Sequence, residues 1–424
     1  MKSIVAGLLI LCGLARAQDH DVQMESFEKV WQTIADKHWN PKQLEKLPDG
    51  GSWVGIRESY RKRIAAAQSA TEVRHILREL VARIGKSHYA ISGYEASGAK
   101  ALRRGGGTAP GFAVELIEGK VLVTAVRRGG PAEAAGVKPG WEAVSAEGVG
   151  ITSDPGVVLH TELRRHQVLQ QQISGYGGEK LEYVFRNGSD EKRVTMQLPK
   201  SDGSAGFGFM QGMEVQREFR LIGKQDVGYF RLGLFLDAVR VLPQFEQAIK
   251  NCAACKGFVI DLRGNPGGLA VMANALAGWF VSKSGVKLGT MFQRGVDLNF
   301  IVIPRLNGFA GPLAVLVDGA SASTSEILAG GLQDFKRARV FGAQTAGAAL
   351  PSVIEVLPNG DFFQYAVANY VSASGLELEG RGVIPDVVVG HTAEALRQGK
   401  DRPLEAALDW IYANTIPADR PAQR

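Results

Sequence analysis

VLVDGASASTSE, Val315 to Glu326, decides how the rest of the chain is read. Its apolar start, reaching back to Leu313, reads as a buried strand. Small residues and hydroxyls follow, then an apolar run from Ile327 that reads as a helix. Such a turn is a good seat for a nucleophilic serine. It exposes the oxygen, and N–H groups of the first helical turn can face an oxyanion. The same run also reads as helix capping, with Ser321, Ser323, Thr324 and Ser325 as candidate caps and Glu326 in the first turn. The stretch alone does not choose between these readings.

Outward from it, strands and helices alternate. Strands are expected at 227–232, 257–262, 313–317 and 339–342, and helices at 238–250, from Leu269, at 325–332 and at 402–413. That order predicts crossovers and a mainly parallel sheet, an α/β core over residues 214–424. Residues 353–373 read as antiparallel around Pro358-Asn359-Gly360. The 257–262 strand runs into Asp261-Leu262-Arg263-Gly264-Asn265-Pro266-Gly267-Gly268, a loop whose glycine pair admits close approach and leaves N–H groups to face an anion. No GKS or GKT follows it, which argues against a nucleotide site. Asp261 and Arg263 read as a pair bracing the loop.

N-terminal to the core, residues 201–213 are a linker by composition. Residues 97–200 alternate as short strands around a turn-bracketed helix at Gly130 to Gly140, and they resemble a PDZ domain. Its peptide-binding loop falls at Pro110, Gly111 and Phe112, where an extended peptide is added as a strand. Trp141 stands where an acidic residue is expected after Pro139-Gly140, and residues 148–180 are longer than a minimal domain of this kind needs. Residues 97–107 form another linker. Residues 18–96 are helical: Phe27, Val30, Trp31 and Ile34 repeat at helical spacing, His38 to Pro41 ends that helix, and two more follow at 55–67 and 71–84 with Thr71 as cap. Trp31, Trp39 and Trp53 read as packing. Gly85 ends the last helix and leaves Ser87 and His88 on a loop.

Residues 1–17 read as a secretory signal, with Lys2, an apolar core from Ile4 to Leu14 and a small-x-small site at Ala15-Arg16-Ala17. Leu11 before Cys12 favours cleavage over a lipid anchor. The expected location is therefore periplasmic or extracellular. No later stretch is long and apolar enough to span a membrane. Cleavage removes Lys2 and Arg16, leaving 47 basic against 43 acidic residues with no concentrated basic stripe, which argues against a nucleic-acid partner. Cys252 and Cys255 lie in a CxxC with no second pair, so zinc is disfavoured. A local disulfide and two buried thiols both stay open. No metal constellation and no cofactor is implied, and the oligomeric state is left undetermined.

Three stretches fall together: DLRGNPGG (261–268), GASASTSEILAGGLQD (319–334) and EGRGVIPD (379–386). With the helical region and the insert, they closely resemble the S41-type serine peptidases, the C-terminal-processing and tricorn-like enzymes. The resemblance implies a ClpP/crotonase-like α/β core and a protein or peptide substrate. It places the nucleophile at Ser323. One version of the family uses a lysine downstream in a segment like GxxTxGK, and here that segment is Gly342 to Ala348, with alanine at the lysine position. The tricorn-like version uses a Ser-His pair and a glutamate, which match Ser87-His88 in GKSH and Glu379 in EGRGVIPD. His88 is then the general base, Glu379 and Ser87 orient it, and the oxyanion is held by Thr324 with Gly267 and Gly268. A non-catalytic peptide- or lipid-binding protein on the same scaffold, like the retinoid-binding relatives of the family, is the alternative. An adaptor working through the PDZ-like region is a third reading.

Overall fold

The computed structural model describes residues 2–93, 108–152, 162–200 and 215–415, with side chains of the first helix from residue 20 onward. The two expected linkers lie outside the described residues, and the side chains of the expected signal segment do too. The chain divides into two compact units. One comprises Met1–Ser97, Met291–Leu298 and Leu350–Asn369, the other Gly98–Thr290, Asn299–Ala349 and Tyr370–Arg424.

In the first unit, α1 (Lys2–Lys37), α2 (Pro41–Glu45), α3 (Trp53–Ala66) and α4 (Ala70–Ala82) share one core. Phe27, Val30, Trp31 and Ile34 form the inner stripe of α1, as their spacing predicts, and meet Trp53, Ile64 and Leu77. Trp31 and Trp53 each donate their indole N–H to the other's carbonyl, at 3.2 and 3.0 Å, so both are packing residues. The α4 cap is Ser69, two residues before the expected Thr71, and its hydroxyl accepts the Glu72 N–H. The loop after α4 leads through Ser87 and His88 into β1 (Ala90–Ser92).

The second unit begins with a β-rich insert. It holds β2 (Phe112–Ile117), β3 (Lys120–Val126), α5 (Pro131–Ala134), β4 (Glu142–Ala146), β5 (Val149–Gly150), α6 (Glu162–Ile173), β6 (Lys180–Asn187) and β7 (Asp190–Gln197). The strand order is β2-β3-β4-β6-β7, with β5 on β4, which leaves β2 at an edge with α6 packed beside it. Helix α6 fills the stretch that looked over-long in sequence. Phe112 meets Tyr183 and Phe185 edge-on in the insert core, where those two rings stack on each other and Trp141 joins them.

The core then runs β8 (Arg217–Ile222), β9 (Val227–Leu232), α7 (Ala238–Asn251), β10 (Gly257–Asp261), α8 (Val271–Ala277), β11 (Lys287–Gln293), β12 (Leu298–Ile301), β13 (Leu313–Val317), α9 (Thr324–Asp334) and β14 (Arg339–Gly342). After β15 (Ser352–Val356), β16 (Phe362–Ala366) and β17 (Ala368–Ser372), the chain closes with β18 (Val387–Val388), α10 (Ala393–Arg397) and α11 (Arg402–Asn414). The main sheet has the order β18-β14-β13-β10-β9-β8, parallel except for the β8–β9 hairpin. Every residue of β10 and β13 is buried, the signature of central strands covered on both faces. Within the first unit, β15 and β16 form the antiparallel pair expected around Asn359, and β1 adds to β16. Cys252 and Cys255 are joined as a disulfide at the end of α7.

Candidate active site

The sheet register sets up the site. Asp261 of β10 pairs with Leu316 of β13, so the 262–268 loop and the 318–323 turn leave the sheet side by side at its carboxyl end. Between Ala320 and Leu332 every residue is buried except Ser323. Ser323 has φ 54° and ψ −115°, a backbone state that L residues avoid and that costs about 1–3 kcal/mol. Its surroundings hold it there. The Ser323 N–H donates to the Ala348 carbonyl at 2.8 Å and to Glu326 Oε2 at 2.9 Å, and the Ser323 carbonyl accepts the Ile327 N–H at 3.0 Å.

The capping reading can now be weighed hydroxyl by hydroxyl. Ser321 donates to the Leu262 carbonyl, Thr324 to the Gly268 carbonyl and Ser325 to the Asn265 carbonyl, at 2.8, 2.8 and 2.9 Å. Each ties the turn to the neighbouring loop instead of capping α9. The Ser323 hydroxyl is not spent on that loop; it and Glu326 form a capping box at the start of α9, the Ser323 side chain facing the Glu326 N–H while the Glu326 carboxylate accepts the Ser323 N–H.

Glycine is required at two places opposite. A Cβ on Gly267 would lie 2.7 Å from the Ser323 Cβ, and one on Gly268 would lie 2.3 Å from the Phe235 carbonyl oxygen. Both have positive φ. Of the expected oxyanion glycines, Gly267 stands against the serine turn and Gly268 against Phe235. The Gly267 N–H, however, donates to Asn265 Oδ1 at 2.8 Å. Asn265 also donates to the Leu232 carbonyl and accepts the Ala322 N–H on its own carbonyl, so it was a missed organiser of this loop.

Beneath the loop, Asp261 accepts from Tyr229, Arg231 and Arg263, and Arg263 makes two 2.8 Å bonds to Asp401. Burial opposes ionisation of Asp261, but the two guanidinium groups outweigh it and hold the carboxyl below the usual range. Asp261 and Arg263 are the bracing pair that the sequence implied.

Ala348, at the position of the family's lysine, is buried. Its backbone works on both sides: the carbonyl accepts the Ser323 N–H, and the N–H donates to Glu326 Oε2 at 3.0 Å. Glu326 further accepts from the Thr345 hydroxyl and the Gly347 N–H, at 2.6 and 2.8 Å. Burial raises the Glu326 pKa, while these donors pull the other way. Glu379 lies alongside, with Oε2 accepting the Ala349 N–H at 3.2 Å.

In the first unit, Ser87 Oγ and His88 Nδ1 are 2.7 Å apart. His88 is half-buried, has φ 61°, and burial pushes its pKa down to about 4, so its imidazole is neutral at pH 7. Its neighbour Tyr89 is anchored, with its hydroxyl 2.5 Å from His38 Nδ1 and 3.2 Å from the Ala366 carbonyl. In the insert, Gly111 has φ 87° and its carbonyl accepts the Arg127 N–H, which closes the loop from Pro110 into Phe112 and β2. Among the described residues, no group of three or more His, Cys, Asp or Glu side chains could hold a metal ion.

A strained serine stands at the start of a buried helix, facing a glycine-lined loop at the ends of two parallel strands, a geometry able to seat a nucleophile. Comparison with known proteins gives the family. Residues 226–389 match peptidase family S41, and residues 20–82 match the Tricorn protease C1 domain. The C-terminal processing peptidase of Tetradesmus obliquus chloroplasts is 28% identical over 376 residues, covering 86% of this chain and 76% of that one. A carboxy-terminal-processing protease of Bartonella bacilliformis is 33% identical over 188 residues, 42% of each chain. The solved photosystem II D1 C-terminal processing protease shares the fold, with a TM-score of 0.54 at 24% identity, covering 87% of this chain and 92% of that one. Residues 226–389 belong to peptidase family S41, and the chain is a serine-type peptidase.

Proposed function

We propose that the chain is an exported serine endopeptidase that hydrolyses peptide bonds through an acyl-enzyme on Ser323. The observation that carries this reading is Ser323 itself, the one residue from Ala320 to Leu332 that is not buried, held at φ 54° against Gly267. Alanine at position 348 cannot take a proton, so the base comes from elsewhere. His88 supplies it, neutral at pH 7 and oriented through Nδ1 by Ser87. Glu379 is the third member and supports the imidazolium. Ser323 Oγ bonds to the carbonyl carbon as its proton passes to His88 Nε2. The C–N bond then breaks and that proton leaves on the amine. Water repeats the sequence, freeing the carboxyl product and restoring Ser323. The oxyanion is held by the N–H groups of Gly268 and Thr324. Gly267 joins them if its N–H turns from Asn265.

The insert serves as a PDZ-like domain that takes an extended peptide along β2, beginning at Pro110, Gly111 and Phe112. Export through residues 1–17 agrees with the Cys252–Cys255 disulfide, which an oxidising compartment preserves. Labelling of the purified protein with a fluorophosphonate probe tests the reading. Label on the parent that is lost in both Ser323→Ala and His88→Ala is the expected result. A His88→Ala protein that labels and cleaves at the parent rate overturns the assigned base, and a folded parent that never labels overturns the enzyme.

A further inference from the structure

We infer that Asp318 is a positioning residue for this reaction, a carboxylate staple that holds the oxyanion loop and the nucleophile turn in register. The inference rests on the assignment of Ser323 as nucleophile. Aspartate before Gly319 at the end of a strand is, in itself, an ordinary turn former. Its Oδ1 accepts the N–H groups of Ala320 and Ser321, at 3.0 and 2.9 Å, as such a turn requires. The turn does not require the next bond. The same oxygen accepts the N–H of Gly264, 54 positions earlier and three residues before Gly267, at 3.0 Å. The Ser321 hydroxyl lies 3.1 Å from it, and the Asp318 N–H donates back to that hydroxyl at 3.0 Å. One charged oxygen therefore gathers donors from both loops, and charge-assisted bonds are about twice as strong as neutral ones.

The position of Asp318 marks it out further. It directly follows the strand, five residues before Ser323, so a shift at its carboxylate moves the serine and the Gly267–Gly268 backbone relative to each other. Displacements of about 1 Å at such a site cost on the order of 100-fold in rate. The insert packs on both stapled loops. A Cβ on Gly264 would lie 3.1 Å from His166 Cε1, and one on Gly319 would lie 2.6 Å from the Glu162 Cβ, both from α6. Asp318 shares a polar cavity there with Glu115 and His166 of the insert and Arg231, Arg263 and His391 of the core. A carboxylate kept beside a second carboxyl group is costly unless donors repay it, and its donors are the two loops.

The test compares Asp318→Ala with Asp318→Asn, which keeps an Oδ1 acceptor. In Asp318→Ala the fluorophosphonate labelling rate should fall about 100-fold, with kcat on labelled casein falling while KM stays within about threefold. Asp318→Asn should recover at least a tenth of the parent rate. Amide exchange at Gly264, Ala320 and Ser321 should quicken in the alanine variant and not in the asparagine variant. Parent-like labelling by a folded Asp318→Ala overturns the inference, as does unchanged exchange at Gly264. If the alanine variant does not fold, parent-level protection with a rate loss beyond 100-fold in Asp318→Asn overturns it. A parent that never labels sinks the nucleophile assignment instead, and the exchange of Gly264 still decides the staple.

Discussion

At residue scale, the proposed chemistry turns on two residues with positive backbone φ. Ser323 and His88 are both non-glycine residues with positive φ, and at Ser323 the backbone is held there by its bonds to Glu326 and Ala348. The buried environment of His88 has a consequence in pH. Its folded pKa, about 4, lies below the ordinary 6.5. The folded state therefore binds fewer protons than the unfolded chain between those values. The contribution to stability is full above about 6.5 and is lost as pH falls towards 4. The acid limb of labelling should accordingly fall near pH 4, not near 6.5, and a pH–rate profile measures it. Glu326 offers a second test. It gathers the Ser323, Gly347 and Ala348 N–H groups and the Thr345 hydroxyl. Glu326→Ala leaves the Ser323 N–H its bond to Ala348 but strands the Gly347 and Ala348 N–H groups and the Thr345 hydroxyl, each at roughly 1–3 kcal/mol, and thermal denaturation should show one of the largest losses of any single substitution. Ser323, His88 and Glu379 are proposed from motif positions in the sequence. Asp318 was not legible there, because a bond to Gly264 across 54 positions leaves no local trace, and Asp-Gly reads as a turn whatever else it does.

At element scale, legibility followed burial. The strands 227–232, 313–317 and 339–342 match the sequence reading to the residue, since a central parallel strand is a continuous apolar run with little room for misplacement. Helix α6 was missed. ELRRHQVLQQQI buries only Val168, Leu169 and Ile173, too sparse a stripe to stand out among its polar residues. The 261–268 loop was legible by its glycines, but the commitment of the Gly267 N–H to Asn265 could only be seen in three dimensions. Gly267→Ala sets a Cβ 2.7 Å from the Ser323 Cβ and 2.8 Å from the Ala322 carbonyl oxygen, at φ 102°. Both atoms belong to the nucleophile turn and cannot retreat without moving the serine. Labelling should fall by at least about 100-fold, alongside a lowered melting temperature. The disulfide closes so short a loop that its removal is mild. Chain entropy gives about 2 kcal/mol for four residues, so reduction should lower the melting temperature by a few degrees and leave labelling intact.

At the scale of the whole second unit, the insert is more than a β-rich appendage in the middle of the chain. Ile117 and Leu122 of the insert share a buried cluster with Ala393 and Leu396, and a Cβ on Gly140 would lie 2.7 Å from the Arg397 nitrogen. On its other side, Glu115 meets the core's charges. Burial and Asp318 push its pKa up to about 8, and Asp401 adds to the rise. Arg263 and Arg231 oppose it. His166 lines the same cavity. The sign is the reverse of that for His88. The folded state holds a proton that the unfolded chain has released, so this contribution is full below about 4.5 and lost as pH rises through 8. Stability should decline across that window, and Glu115→Gln should flatten the decline in melts taken from pH 6 to 9.

Ser321, Thr324 and Ser325 hide their hydroxyls inside the fold while Ser323 reaches the surface. To a reagent arriving from solution, a run of four hydroxyl side chains in five residues therefore presents a single address. On the proposed mechanism, selective acylation here needs no discriminating pocket. The fold has already removed the competitors, and a mass-spectrometric footprint of the 318–334 peptide would carry one modification or none.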